Sequence, residues 1–210
     1  MERQYEVGLV SVIMPSYNAA KYVERALNSV FEQTYQKVEI VIVDDHSSDG
    51  TPELIQKYAD IHPEIRYVPL EKNMGAGYAR NKALELARGQ YVAFLDCDDE
   101  WMPDKLERQL KCMKENNTSF GYAAIEMIDE DGKVIKGKRK VRCTCDYQYL
   151  LRNTVIATSS VVVDRKAAGD FRMHLRRGGQ DYATWLKLLR NGTVAFGINE
   201  VLVRYRVTGN

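Results

Sequence analysis

The chain has 210 residues, with 30 lysines and arginines against 29 aspartates and glutamates. That length suits one domain with a continuous core, and the near-zero charge balance gives no footing for a nucleic-acid partner. Four cysteines (Cys97, Cys112, Cys143, Cys145) fit a reducing cytoplasm better than a disulfide scaffold. No secretory signal precedes the first apolar run, and the apolar runs fall short of the roughly 20 residues of a spanning helix, so any membrane role is peripheral.

From the N-terminus, short β-branched runs alternate with longer amphipathic segments, the pattern of parallel strands joined by crossover helices. Strands are expected over 9–14, 38–43, 65–70 and 91–95, and helices over 19–33, 52–59 and 76–88. The fold class is therefore α/β, with a Rossmann-like half whose functional residues belong at the strands' carboxyl ends. Pro103 suits a first helical position and opens a helix through 116. The alternation then weakens. Residues 120–128 and 134–135 flank 129–133 as a hairpin, and 159–163 reads as a strand. A helix over 181–190 carries Tyr182, Trp185, Leu186 and Leu189 along one side, and 194–205 supplies closing strands.

The fourth predicted strand runs into Asp96-Cys97-Asp98-Asp99-Glu100, where four carboxylates crowd one strand end. Such crowding is unfavourable without a cation. A hard divalent ion, Mg²⁺ or Mn²⁺, bridging carboxylate to diphosphate suits Asp96 and Asp98. For Asp99 and Glu100 the better reading is a solvated loop capping the helix at Pro103. After the second strand, Asp44-Asp45 offers a carboxylate able to accept from a base N–H, and Ser48, Asp49 or Thr51 can cap the next helix. The first strand ends in Pro15-Ser16-Tyr17-Asn18, where the Tyr17 ring can stack on a base and Asn18 is a good N-cap. Each signal is ordinary turn chemistry alone, and their weight lies in convergence on adjacent strand ends.

Residues 10–18, Asp44-Asp45-His46-Ser47-Ser48-Asp49-Gly50-Thr51, Asn73-Met74-Gly75-Ala76-Gly77-Tyr78-Ala79-Arg80-Asn81 and Asp96-Cys97-Asp98-Asp99 follow in order, then Gln180-Asp181-Tyr182 and Arg204-Tyr205-Arg206. Together they resemble family 2 of the glycosyltransferases over nearly the whole chain. The resemblance implies the GT-A fold, a mostly parallel sheet flanked by helices with a smaller acceptor-side mixed sheet in the same domain. It also implies an inverting transfer from a nucleotide diphosphate, usually a UDP-sugar, to an acceptor hydroxyl. By position, Pro15 would border the nucleotide, Tyr17 would contact the base ring and Asp45 the base N–H. Asp96 would contact ribose or sugar, Asp98 the metal, and Arg80 the phosphates or sugar.

On this reading 1–115 is the nucleotide-sugar-binding half and 116–210 the acceptor half, with 116–177 shaping the acceptor pocket. The acceptor is a glycan or a lipid-linked saccharide, in cell-surface polysaccharide assembly. Only the second carboxylate of the family's acidic pair is present, as Gln180-Asp181, which makes Asp181 the candidate base. The expected continuation after Arg204-Tyr205-Arg206 is missing because the chain stops at Asn210. The chain therefore reads as truncated, with an incomplete donor-covering lid.

Two other function classes compete: a nucleotide-sugar-binding module without turnover, disfavoured by Asp181, and a sugar nucleotidyltransferase, which would carry a Gly-rich loop where Pro15-Ser16-Tyr17-Asn18 stands. Gly75-Ala76-Gly77 lacks the third glycine of a dinucleotide fingerprint, where Arg80 stands. Cys143-Thr144-Cys145 lacks a second ligand pair for zinc. The basic stretch 133–142 reads first as a solvated loop; its alternative is contact with anionic lipid at the inner face of the cell membrane, suited to a polyprenol-diphosphate acceptor. Trp185 and Leu189 read as core.

Overall fold

The computed structural model describes residues 4–175 and 178–209. Arg177, at the end of the stretch expected to shape the acceptor pocket, and Asn210, where the chain stops, lie outside the described residues.

The first half runs β1 (Glu6–Ser16), α1 (Val23–Phe31), β2 (Val38–Asp44), α2 (Thr51–Ile61), β3 (Ile65–Pro69), α3 (Ala76–Leu86), β4 (Gly89–Phe94), β5 (Glu100–Trp101) and α4 (Lys105–Glu115). The second runs β6 (Phe120–Ile128), β7 (Val134–Arg139), β8 (Thr144–Cys145), α5 (Tyr147–Arg152), a 3₁₀ turn (Thr158–Ser160), β9 (Val162–Asp164), α6 (Arg165–Ala168), α7 (Gln180–Leu189) and β10 (Ala195–Arg206). Strands β3, β2, β1 and β4 are neighbours in that order and wholly parallel. Their near-continuous apolar runs are explained by burial on both faces, Val10 and Val12 to Met14 having no exposure at all. The acceptor-side strands are mixed in direction. They join β4 through antiparallel β9, so among the described residues both halves share one ten-stranded sheet: eight strands run in the order β3, β2, β1, β4, β9, β6, β10, β5, with β7 paired to β6 and β8 to β10 beside that path.

Helices cover both faces. One core packs Ala79, Ala83, Trp185 and Leu189 from α3 and α7 against the sheet, and the other packs Val23, Leu27, Ile55 and Leu106 from α1, α2 and α4. Trp185 and Leu189 are core residues, as expected.

Several boundaries move for local reasons. The helix expected over 19–33 begins at Val23, because Asn18 takes a left-handed φ of 47° and residues 19–22 form a turn. Asn18 is thus not an N-cap; its side-chain oxygen accepts from Ser48 N at 2.9 Å. The helix expected from Pro103 starts at Lys105. The single strand expected over 159–163 divides into the 3₁₀ turn and β9, and the closing strands expected over 194–205 are one continuous β10 beyond Ala195.

Candidate functional site

All six residues read as nucleotide-binding line one cavity of about 710 Å³ at the strands' carboxyl ends. Pro15 enters it from the last residues of β1 and Tyr17 just after that strand, Asp45 after β2, Arg80 from α3, and Asp96 and Asp98 after β4. Tyr17 is 54% exposed, an uncovered ring at the mouth. Asp45 is buried and accepts from the backbone N–H of Met74 at 2.6 Å and of Gly75 at 2.7 Å, so it also anchors the loop that opens α3. Gly75 holds φ 88°, a conformation that favours glycine.

Gly77 is needed for a different reason. A Cβ there would meet Gln180 Oε1 at 2.1 Å and the His174 carbonyl at 3.0 Å. This close approach seats the start of α7 beside α3. It places Asp181 in a second cavity of about 360 Å³, which shares Arg80 and Asp96 with the first. The bond from Arg80 Nη2 to Asp96 Oδ1, at 2.5 Å, therefore stands where the two cavities meet. Burial works against the Arg80 charge, but the carboxylates of Asp96, Asp181 and Asp98 together outweigh it and raise its pKa. Asp181 Oδ2 accepts from Thr158 Oγ1 at 2.9 Å and Oδ1 from Tyr182 N at 2.8 Å, which fixes the carboxylate's orientation without an N-cap bond of the usual kind.

The acidic turn is organised differently from expectation. Asp99 and Glu100 are not a solvated loop. Asp99 is 1% exposed and accepts from Arg206 N at 2.8 Å, and burial pushes its carboxyl well above the usual range. Glu100 lies in β5, which pairs with β10, and its carboxylate accepts from Arg206 Nη2. Three of the four carboxylates are thus accounted for separately: Asp96 by Arg80, Glu100 by the Arg206 side chain, and Asp99 by burial against the Arg206 N–H. Among the described residues, Asp98 alone of the four faces the cavity without an ion pair. Burial and the neighbouring Asp96 charge push its pKa up, the mark of a carboxylate short of a cation.

A divalent ion fits this donor set. Among the described residues no three His, Cys, Asp or Glu side chains converge on one point. An ion here would take Asp98, with Asp96 beside it, and draw its other ligands from diphosphate and water, as Mg²⁺ does at phosphate sites. Among the described residues the Cys143-Thr144-Cys145 pair is part of no metal-ligand group of three or more.

Lys21, Glu130, Thr208 and Gly209 also line the first cavity. Lys21 Nζ donates to Glu130 Oε2 at 2.5 Å. No local motif marks these residues, because the contact joins positions 109 apart. Arg206 was visible only as part of Arg204-Tyr205-Arg206, with no partner readable from sequence.

Comparison with known proteins bears on the family and the fold. The family profile described as "Glycosyl transferase family 2" covers residues 11–177. The Bacillus subtilis (strain 168) protein TuaG, a provisionally named teichuronic acid biosynthesis glycosyltransferase, is 45% identical over 96% of this chain and 80% of its own length. The Escherichia coli protein WfgD, a UDP-Glc:alpha-D-GlcNAc-diphosphoundecaprenol beta-1,3-glucosyltransferase, is 37% identical over 95% of this chain and 78% of its own. The S. aureus TarS 1–349 structure in complex with UDP superposes with a TM-score of 0.78 at 23% identity, over 94% of this chain. This chain spans 60% of that TarS chain. The Pyrobaculum calidifontis mannosyltransferase PcManGT, with GDP-Man and Mn²⁺, gives 0.72 at 22% identity, over 93% of this chain and 56% of its own. With the ordered motifs and the cavity they line, these matches establish that the chain belongs to glycosyl transferase family 2.

Proposed function

We propose that this glycosyltransferase takes a UDP-sugar in the first cavity and an acceptor hydroxyl in the second, and transfers the sugar with inversion. The observation that carries this reading is the shared wall. Arg80 and Asp96 border both cavities, so a sugar held there lies between the diphosphate side and Asp181. Tyr17 stacks on the base, the free acceptor capacity of Asp45 takes the base N–H, and Pro15 shapes the turn beneath them. Arg80, already charged, is placed for sugar or phosphate oxygens. Residues 1–115 form the donor half and 116–210 the acceptor half of one domain; Ile125, Met127, Arg139 and Thr158 in the second cavity support that division.

Asp98, with Asp96, would hold Mn²⁺ or Mg²⁺, which when bound neutralises charge on the departing diphosphate. Asp181 accepts the proton of the acceptor hydroxyl as that oxygen attacks the anomeric carbon, and its bond from Thr158 keeps one oxygen aimed. The acceptor is proposed as a glycan or lipid-linked saccharide, by analogy with the diphosphoundecaprenol acceptor in the name of WfgD. Cytoplasmic placement against the membrane suits that class. No helix among the described residues is long and apolar enough to cross a membrane. All six residues of β7, within the basic stretch 133–142, are exposed, so that stretch is accessible to anionic lipid as well as to solvent.

A panel of UDP-sugars with saccharide acceptors tests the reading. Asp181→Asn should keep its fold and UDP affinity yet lose on the order of 10² to 10⁴ in transfer rate, the usual contribution of a positioned base. Transfer at near-parental rate would move the base elsewhere, but not to Asp164 or Asp170, the other carboxylates the sequence offers: neither lines the two cavities, Asp164 caps α6 and Asp170 pairs with Arg172.

A further inference from the structure

Arg206 carries more hydrogen bonds than a strand-end arginine needs, and its side chain has no solvent exposure. Its Nε donates to the Asp98 carbonyl at 2.8 Å, inside the acidic turn. Its Nη1 donates to the carbonyls of Asp129 at 2.8 Å and Glu130 at 3.1 Å, at the tip of the β6–β7 hairpin. Its Nη2 donates to Glu100, and its backbone N–H to Asp99. The guanidinium also lies 5.1 Å from the Tyr22 ring centroid, just before α1. One planar fork therefore joins segments more than 75 residues away from it in the chain.

Both joined segments border the first cavity, the turn through Asp98 and the hairpin through Glu130. Glu130 in turn holds Lys21, another lining residue. We propose that Arg206 is a positioning residue of the donor site: its guanidinium locks the acidic turn to the hairpin tip, so that Asp98 and the Lys21–Glu130 wall stand at a fixed separation across the cavity. This rests on the reading of Asp98 as the carboxylate that takes the donor's metal ion. Arg206 does not itself line the cavity; it acts through the backbone of two residues that do, Asp98 and Glu130. A lysine cannot take its place, since one ammonium on a flexible stem cannot reach acceptors spread around a rigid fork.

The test is calorimetric titration of UDP with and without Mn²⁺ into the parent protein, Arg206→Gln, Arg206→Lys and Glu100→Gln, each checked for fold by circular dichroism. Arg206→Gln should bind UDP alone within about threefold of the parent, while the affinity gained from Mn²⁺ falls by about tenfold or more, as for outer-shell partners of metal ligands. Arg206→Lys should not restore that gain. A purely structural arginine would lower the unfolding midpoint without touching the metal-dependent part of binding. Glu100→Gln removes the charge on the turn that holds the fork and should lower the Mn²⁺ gain by a smaller factor; it decides the matter if the Arg206 variants do not fold. Parental Mn²⁺ gain in folded Arg206→Gln, or in Glu100→Gln when the former is unfolded, overturns the positioning role alone. No Mn²⁺ gain in the parent protein overturns the metal reading beneath it, and the positioning role with it.

Discussion

At the amino ends of the parallel strands Glu39 is buried, and at their carboxyl ends Asp99 is buried and Asp98 half-buried, but their surroundings differ. Glu39 accepts from Ser11 Oγ at 2.6 Å, Arg88 N at 2.7 Å and Arg88 Nε at 2.8 Å. Burial pushes its carboxyl up, yet these donors outweigh it and the pKa ends below the ordinary 4.5. Asp98 and Asp99 are pushed up by burial and by their neighbours' charges, with too few donors to reverse the effect. Asp99 Oδ2 and Arg80 Nε are buried with no hydrogen-bond partner. Donor supply, more than burial, decides whether a carboxylate steadies the fold or waits for a ligand. The amino end is satisfied as it stands, and the carboxyl end is left short where a charged substrate belongs.

Substitutions at the two ends should separate these roles. The largest effect on stability is expected from Asp96→Ala, which strands the buried Arg80 guanidinium. Urea unfolding should show a loss of about 3 kcal/mol, the low end for a broken buried pair because the Asp96 side chain is 28% exposed. Glu39→Gln should cost about 1 to 3 kcal/mol at neutral pH through its charge-assisted bonds. Because its folded-state pKa is lowered, that stability is present above about pH 4.5 and is lost as pH falls through the folded-state value. The gap between Glu39→Gln and the parent should therefore close in acid, and a gap that persists there would assign the loss to packing.

Tyr17→Ala should leave the unfolding midpoint in place, since the ring is exposed, while weakening UDP binding by about 1 to 3 kcal/mol. Unchanged UDP affinity would remove Tyr17 from the base site. Asp98→Asn should change stability only slightly, and in the opposite sense to Asp96→Ala and Glu39→Gln. A carboxylate with a raised folded-state pKa is held ionised at a cost at neutral pH, so the metal-free variant should be stabilised by no more than about 1 kcal/mol. Clear destabilisation would make Asp98 a structural residue like Glu39.

Much of this arrangement was legible in the sequence because it is local. Apolar runs ending in Tyr17, Asp45 and Asp96-Cys97-Asp98 mark the carboxyl ends of strands, and parallel topology brings those ends together. Gly75-Ala76-Gly77 was legible as a turn into a helix, though not the two tasks it performs: a positive φ at Gly75, and room for Gln180 at Gly77. What stayed hidden depends on partners far along the chain. Asp99 and Glu100 read as solvated because Arg206, which holds both, lies more than 100 residues on. The Lys21–Glu130 wall and the aim of Asp181 by Thr158 are hidden for the same reason, since no periodicity records which distant loops meet.

The measurement that bears most directly on the account is UDP binding to the parent protein and Asp98→Asn, by calorimetry, with and without Mn²⁺. Mn²⁺ should tighten UDP binding to the parent and do nothing for Asp98→Asn, whose metal-free affinity should stay near parental. If Asp98→Asn binds UDP with the same metal dependence as the parent, the carboxylate left without a partner is not the metal's, and the account of the donor site is wrong.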